Sequence, residues 1–339
     1  MKKFTKNKIL ICFGTRPEYL KIKPLINNLD KSKFSLAYLH QHKNIKEHFI
    51  YDYFVKIPEL KKNNRLNDII INTLKNFPNL NNYRYVLVQG DTTAALSSAI
   101  CAFNNKTDII HLEAGLRSFD LFSPYPEEAN RKLISNLAKI HFAPTNLSKK
   151  NIFKENIKKN IFITGNTSLD NLLSYKKKCF YGNKILITLH RREKLEELDQ
   201  WLCRLDELAS KNKSLEFIFP IHPNPLIKKI SSKFSHLKKI KHLNHSELLD
   251  ILYQCKLVIT DSGGIQEEAS FFNKKVIVCR DVTERPEGIK SGHLIMCDNY
   301  KKIGVTFNKV LKNYKISKTC PYGDGCSGSR ISKILKKLL

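Results

Sequence analysis

Acidic residues are scarce in this chain. Against 59 Lys and Arg stand 31 Asp and Glu in 339 residues, a formal net charge of +28. Several patterns are absent as well. The nine cysteines (12, 101, 179, 203, 255, 279, 297, 320 and 326) are scattered, and no Cys-x-x-Cys pair occurs among them. That argues against a zinc site or a disulfide framework and for reduced thiols. No strand-like segment runs into Gly-x-Gly-x-x-Gly or Gly-x-x-x-x-Gly-Lys-[Ser/Thr], so dinucleotide and P-loop readings lose support. No apolar run approaches the roughly 18 residues that a membrane span needs. "KILICFG" is apolar but short, and leads into "TRPEYLK" rather than a small-residue cleavage site. The expectation is a soluble cytoplasmic protein that engages no membrane and holds no metal.

The basic excess invites a nucleic-acid partner, but its distribution points elsewhere. Of the 59 basic residues, 48 are Lys and 11 are Arg. The lysines sit in dispersed, Asn-rich runs such as "SKKNIFKENIKKN", as solvated faces do. No nucleic-acid partner is expected. The arginines differ. Arg16, Arg117, Arg131, Arg191, Arg192, Arg285 and Arg330 stand beside Gly, Pro, Glu or His in compact clusters. Where Lys is the default cation, Arg suggests a planar fork for phosphate or carboxylate. Structural Arg–Glu pairing is the competing explanation for two or three of them.

A hydrophobic fraction of 42% supports real cores. Short apolar strands alternate with helical spacing: "KILICF", "SLAYLH", "YVLVQG", "DIIHLEAG" and "IHFAPT", then, after residues 166–180, "KILITLH", "LEFIFPIH", "LVITDSGG" and "KVIVCR". This predicts two α/β halves with parallel sheets covered on both faces. The last helix, about 328–339, has no place in the second half's pattern and is a candidate to pack on the first. Ligands of such sheets bind at the carboxyl ends of strands. Polar or glycine residues recur there: Gly14-Thr15-Arg16, Gly90-Asp91, Glu113, His190-Arg191-Arg192, His222 and Asp261-Ser262-Gly263-Gly264. One shared cleft between two domains is expected.

Two of these turns suit an anion. In "ITDSGGIQEEAS" a strand meets Ser262-Gly263-Gly264 and a helix begins, with Glu268 placed to accept hydrogen bonds from ribose hydroxyls. "GTRPE" is a second strand–Gly–helix entry, with Arg16 in reach of a phosphate. Each also reads as a plain capped helix start, as does Asp91 in "QGDTTAA". In "EAGLRSFDLFSPYPEEANRK", Pro124 and Pro126 forbid one continuous helix, yet the stretch gathers Glu113, Asp120, Glu127 and Glu128 around Arg117 and Arg131. Glu127 and Arg131 stand at i,i+4 spacing, so a helical ion pair is possible there. Carboxylates and a histidine near a cationic phosphate site suit proton transfer on a substrate with a phosphate leaving group.

In this order the motifs "GTRPEYLKIKPL", "VQGDTTAA", "HLEAGLRS", "SPYPEEANR", "TGNTSLDNL", "LHRREK", "DSGGIQEEAS", "RDVTERPEG" and "YGDGCSGSRI" span nearly the whole chain. Together they closely resemble the non-hydrolysing UDP-N-acetylglucosamine 2-epimerases. The resemblance implies a GT-B-type α/β fold, with two Rossmann-like domains whose parallel sheets face a central cleft. The domains would be 1–168, carrying the acid/base carboxylates, and 169–320, binding UDP, with 321–339 packing back on the first. It implies reversible conversion of UDP-GlcNAc to UDP-ManNAc without cofactor or metal, in a homodimer. The implied catalytic residues are Asp91, Glu113, Glu127, Arg131 and His190. The implied substrate contacts are Arg16, His222, Ser262, Gly263, Gly264 and Glu268, with Arg285 added. Many family members carry Gln-His-Arg after the second strand, in a region tied to activation by UDP-GlcNAc at a second site; here Gln41 and His42 are followed by Lys43, a departure from that pattern. The alternatives are a 2-epimerase of another UDP-2-acetamido sugar, such as a diacetamido uronic acid, and a hydrolysing epimerase that releases ManNAc.

Overall fold

The computed structural model describes residues 8–40, 49–58, 64–175, 180–190, 196–316 and 319–339. Gln41, His42, Lys43, Arg191 and Arg192 lie outside them. The chain divides into two compact units, 1–171 with 323–339, and 172–322.

Among the described residues of the first unit, seven parallel strands form one sheet. They are β1 (Lys8–Phe13), β2 (Phe34–His40), β3 (Tyr53–Lys56), β4 (Tyr83–Gln89), β5 (Asp108–Leu112), β6 (Ile140–Ala143) and β7 (Ile161–Ile163), in the order β3-β2-β1-β4-β5-β6-β7. The helices are α1 (Arg16–Ile26), α2 (Arg65–Asn76), α3 (Thr93–Asn104), α4 (Glu127–Leu137) and α5 (Asn146–Lys154). Alternation along β1 builds both cores. Leu10 and Cys12 pack with Ile69, Ala95 and Ala99 on one face, and Ile9, Ile11 and Phe13 with Ile22 and Leu25 on the other.

The second unit repeats the plan. β8 (Lys184–Thr188), β9 (Glu216–Pro220), β10 (Lys238–Ile240), β11 (Leu257–Thr260), β12 (Lys275–Val278) and β13 (Leu294–Met296) are parallel, in the order β10-β9-β8-β11-β12-β13. Its helices are α6 (Leu198–Lys211), α7 (Pro225–Ser231), α8 (His245–Gln254), α9 (Gly263–Phe271), α10 (Pro286–Lys290) and α11 (Ile303–Lys312). Both orders reverse direction beside their first strand, at β1/β4 and at β8/β11. Doubly wound sheets open a binding crevice at such a point.

The final helix, α12 (Ser327–Leu338), belongs to the first unit. Ile331 and Leu335 join the core of Ile22 and Leu25. Asp170 caps α12 by accepting the Ser327 and Gly328 amides at 3.0 and 2.7 Å. Gly328 lets α12 meet α1 closely, because a Cβ there would stand 2.6 Å from the Pro24 carbonyl.

Two buried histidines fasten the carboxyl ends of the first sheet. His111 on β5 pairs in register with His141 on β6, and both are wholly buried. The His111 Nε2 donates to the Gly90 carbonyl at 2.8 Å, while its Nδ1 meets no partner among the described residues. A second proton on this ring would find no acceptor, and burial holds its pKa down to about 3. Since the folded pKa lies below the ordinary value, this group's contribution is complete above about pH 6.5 and is lost as pH falls towards 3. His111→Gln removes the titration. The stability advantage of the wild type over this variant should shrink by about 2 kcal/mol between pH 7.5 and pH 5, measured by urea unfolding of both proteins. An advantage that stays constant across that range would contradict the assignment.

Candidate functional site

In the first unit, the β1/β4 switch point is held by Glu18. Thr15 caps α1 and Thr92 caps α3. Glu18 is buried, and Oε2 accepts the Thr15 hydroxyl at 2.7 Å and the Gly14 amide at 3.1 Å, while Oε1 accepts the Thr92 hydroxyl at 2.8 Å. One carboxylate thus ties together the turns that follow two neighbouring strands. Desolvation raises its pKa, with the three donors and the charge of Asp91 as smaller influences.

One turn along α1, Lys21 reaches Glu113. Its ammonium lies 2.7 Å from Oε1 and 2.6 Å from Oε2. Asn166 donates to Oε1 at 3.2 Å, and the Gln89 amide donates to Oε2. Glu113 follows β5 directly and has φ +66°, a left-handed conformation uncommon outside glycine. Gly115 at φ +92° completes the reversal, and a Cβ there would stand 2.2 Å from the Ser148 carbonyl oxygen. The turn aims the Glu113 carboxylate at three donors drawn from α1, β4 and the segment after β7.

Beside it, Asp91 follows Gly90, whose φ is +71°. The Asp91 Oδ2 accepts Arg131 through Nε at 2.8 Å and Nη2 at 2.6 Å. Arg131 also donates to Glu128 at 3.2 Å. Glu128 is fully buried and closes the preceding loop by accepting the Ser118 and Phe119 amides at 3.0 and 3.2 Å. Glu127 and Arg131 stand at i,i+4 spacing on α4, and Arg131 engages Asp91 and Glu128. Glu127 opens α4, half-buried. Arg117 is structural: it grips Glu155 at 2.8 and 2.7 Å and the Ser135 hydroxyl at 2.9 Å. Arg330 likewise pairs with Asp324. Arg16 begins α1, half-buried.

In the second unit, His190 and His222 leave neighbouring strands β8 and β9 with rings stacked, centroids 5.2 Å apart and planes 4° from parallel. His242 meets His222 edge-on at 5.9 Å. The His222 Nδ1 accepts the Asn224 amide at 3.2 Å, which places its proton on Nε2. Burial lowers its pKa, helped by His190 and His242. The buried Asp261 accepts the His190 amide at 2.8 Å.

Ser262 precedes α9 without capping it through its side chain. The two glycines that follow differ. A Cβ on Gly264 would meet nothing within 4 Å, whereas one on Gly263 would lie 2.5 Å from the Arg285 Nη1. Arg285 is buried, with Nε donating to Glu267 at 2.6 Å and Nη1 to Glu284, which also binds Arg280 at 2.9 Å. Arg285 therefore sits behind the Gly-Gly turn in an ion network. Glu268, one helical turn on, accepts His245 Nε2 at 2.8 Å.

Lys21, Glu18, Gln89, Asn166 and His245 join the expected residues from the structure alone. Glu18, Lys21, Gln89 and Asn166 fall inside motifs already singled out, whereas His245 falls in none. Among the described residues no cluster of three or more His, Cys, Asp or Glu could hold a metal ion. No described helix is long and apolar enough to cross a membrane.

The sequence profile of the UDP-N-acetylglucosamine 2-epimerase family matches residues 41–336. The Campylobacter jejuni UDP-N-acetylglucosamine 2-epimerase is 36% identical over 97% of this chain and 97% of its own. The Escherichia coli K12 enzyme of the same name is 34% identical over 97% and 98%. Among solved structures, the Neisseria meningitidis UDP-GlcNAc 2-epimerase bound to UDP-GlcNAc superposes with a TM-score of 0.87 at 31% identity, covering 97% of this chain and 100% of that one. The Methanocaldococcus jannaschii enzyme in complex with UDP-GlcNAc and UDP gives 0.80 at 31%, covering 97% and 99%. Two parallel-sheet α/β units of the GT-B type, a profile match over most of the sequence and relatives aligned nearly end to end give one assignment: the chain belongs to the UDP-N-acetylglucosamine 2-epimerase family.

Proposed function

We propose that the protein interconverts UDP-GlcNAc and UDP-ManNAc without hydrolysis, by elimination and re-addition of UDP. The observation that carries this reading is the Glu113 carboxylate, fixed by Lys21, Gln89 and Asn166 beside the Asp91–Arg131 pair. Relatives solved with UDP-GlcNAc support the substrate class. The sugar's C2 hydrogen is not next to a carbonyl, because the acetamido group joins through nitrogen, so direct deprotonation is slow. Departure of UDP from C1 builds oxocarbenium character and acidifies C2–H. The C1–O bond breaks, a base takes the C2 proton, and 2-acetamidoglucal and UDP result. UDP oxygen then re-forms the bond to C1 while an acid delivers a proton to C2 from the opposite face. That requires acid and base groups and stabilisation of the leaving diphosphate.

In this reading Asp91, Glu113, Glu127, Arg131 and His190 serve the proton transfers and charge stabilisation. Arg16, His222, Ser262, Gly263, Gly264 and Glu268 hold the nucleotide, with Arg285 supporting the turn from behind Gly263. A homodimer in the cytoplasm, supplying precursors for surface polysaccharide, is the wider setting that the family resemblance supports.

Two sets of variants test the proposal. Glu113→Gln and Glu127→Gln should each lower kcat by at least about 100-fold, the scale of general acid–base catalysis, and retain UDP binding by titration calorimetry. Near-normal turnover in both would remove the carboxylates from the chemistry. The glycines separate two functions. Gly264→Ala adds a methyl group into open space, so its melting temperature should hold while UDP affinity falls about 10-fold, as the diphosphate loses close approach to the backbone. Gly263→Ala drives a Cβ against Arg285 and should lower the melting temperature. Unchanged UDP affinity in Gly264→Ala would place the diphosphate elsewhere.

A further inference from the structure

Glu268 presents an incomplete set of partners. It is 7% exposed, in the second turn of α9. Among the described residues its carboxylate meets one side chain, His245, whose Nε2 lies 2.8 Å from Oε1. Oε2 is left to accept from elsewhere. Oε2 keeps its lone pairs open to water or to the donors of a ligand.

His245 reaches this position through the local sequence. Asn244, His245, Ser246 and Glu247 form a capping box that fixes where α8 begins. The Asn244 side chain accepts the Glu247 amide at 3.0 Å, and the Glu247 carboxylate accepts the Asn244 amide at 2.8 Å. The first residue of the helix, His245, is thereby set against α9 rather than turned to solvent, and its side chain is 28% exposed.

We infer that His245 is a positioning residue for nucleotide recognition: it holds Oε1 of Glu268 so that Oε2 faces the ribose hydroxyls. This rests on the proposed contact between Glu268 and ribose. Without His245 the carboxylate is free to rotate about its terminal torsions, and part of the hydroxyl binding energy is lost in ordering it. His245 acts through Glu268, so its effect should vanish when either Glu268 or the hydroxyls are absent.

The test measures affinities of the full chain for UDP and for 2′,3′-dideoxy-UDP, which lacks both hydroxyls, by titration calorimetry. The proteins are wild type, His245→Ala, His245→Gln, Glu268→Ala and the His245→Ala/Glu268→Ala double variant. Wild type should prefer UDP, and Glu268→Ala should lose that preference. His245→Ala should weaken UDP by roughly 10-fold and leave dideoxy-UDP unchanged. His245→Gln retains an N–H donor and should recover most of the loss. The double variant should bind UDP no more weakly than Glu268→Ala. If Glu268→Ala loses the preference but His245→Ala keeps it, or weakens both ligands equally, the positioning role is overturned and the Glu268 contact stands. If Glu268→Ala keeps the preference, the ribose contact fails, and the role of His245 with it.

Discussion

The polar network at the first unit's switch point depends on the ion pair between Lys21 and Glu113, formed where a strand ends in a left-handed residue. Glu113 takes φ +66° with a bulky side chain, a conformation that costs about 1–3 kcal/mol. It persists because Lys21, Gln89 and Asn166 all require the carboxylate in one place. Those three come from α1, β4 and the segment following β7, so the site is stable only when the sheet is complete. Glu18 enforces the same dependence, since its carboxylate joins the starts of α1 and α3. Arg131 extends the network to Asp91 and, through Glu128, to the loop that the two prolines keep out of helix.

The second unit uses the same topology with different contents. Its switch point carries imidazole rings and a helix start, with one buried carboxylate, Asp261, beneath them. His190 and His222 stack because β8 and β9 are neighbours, and Asp261 on the adjacent β11 turn fixes the backbone at His190. The Gly-Gly turn divides its duties. Gly263 accommodates the buried Arg285, and Gly264 leaves the backbone open. The sequence offers two equivalent glycines for phosphate approach; the packing leaves one of them with that freedom.

Legibility followed burial. Every interior strand of both sheets was visible as a short apolar run. Among the described residues, the strands missing from the sequence reading are β3, β7, β10 and β13, the edges of the two sheets, each only three or four residues long. An edge strand is half-covered and short, so neither alternation nor length marks it. The same logic applies to the site. Glu113 and Asp91 stood out as carboxylates at strand ends in a lysine-rich chain. Lys21 lay inside a quoted motif but was not distinguished within it, because one lysine among 48 carries no compositional signal and its contact is 92 residues away in sequence. Arg117 and Arg131 looked alike, flanking one loop. The family resemblance singled out Arg131, and tertiary pairing gives the physical difference: Arg117 binds Glu155 and Arg131 binds Asp91.

Proton NMR of the protein with UDP-GlcNAc in heavy water tests the central claim most directly. Elimination to 2-acetamidoglucal followed by re-addition with re-protonation at C2 predicts UDP-ManNAc carrying deuterium at C2, with no free sugar released. UDP-ManNAc that keeps its original C2 proton, or free ManNAc with UDP as the products, would contradict it.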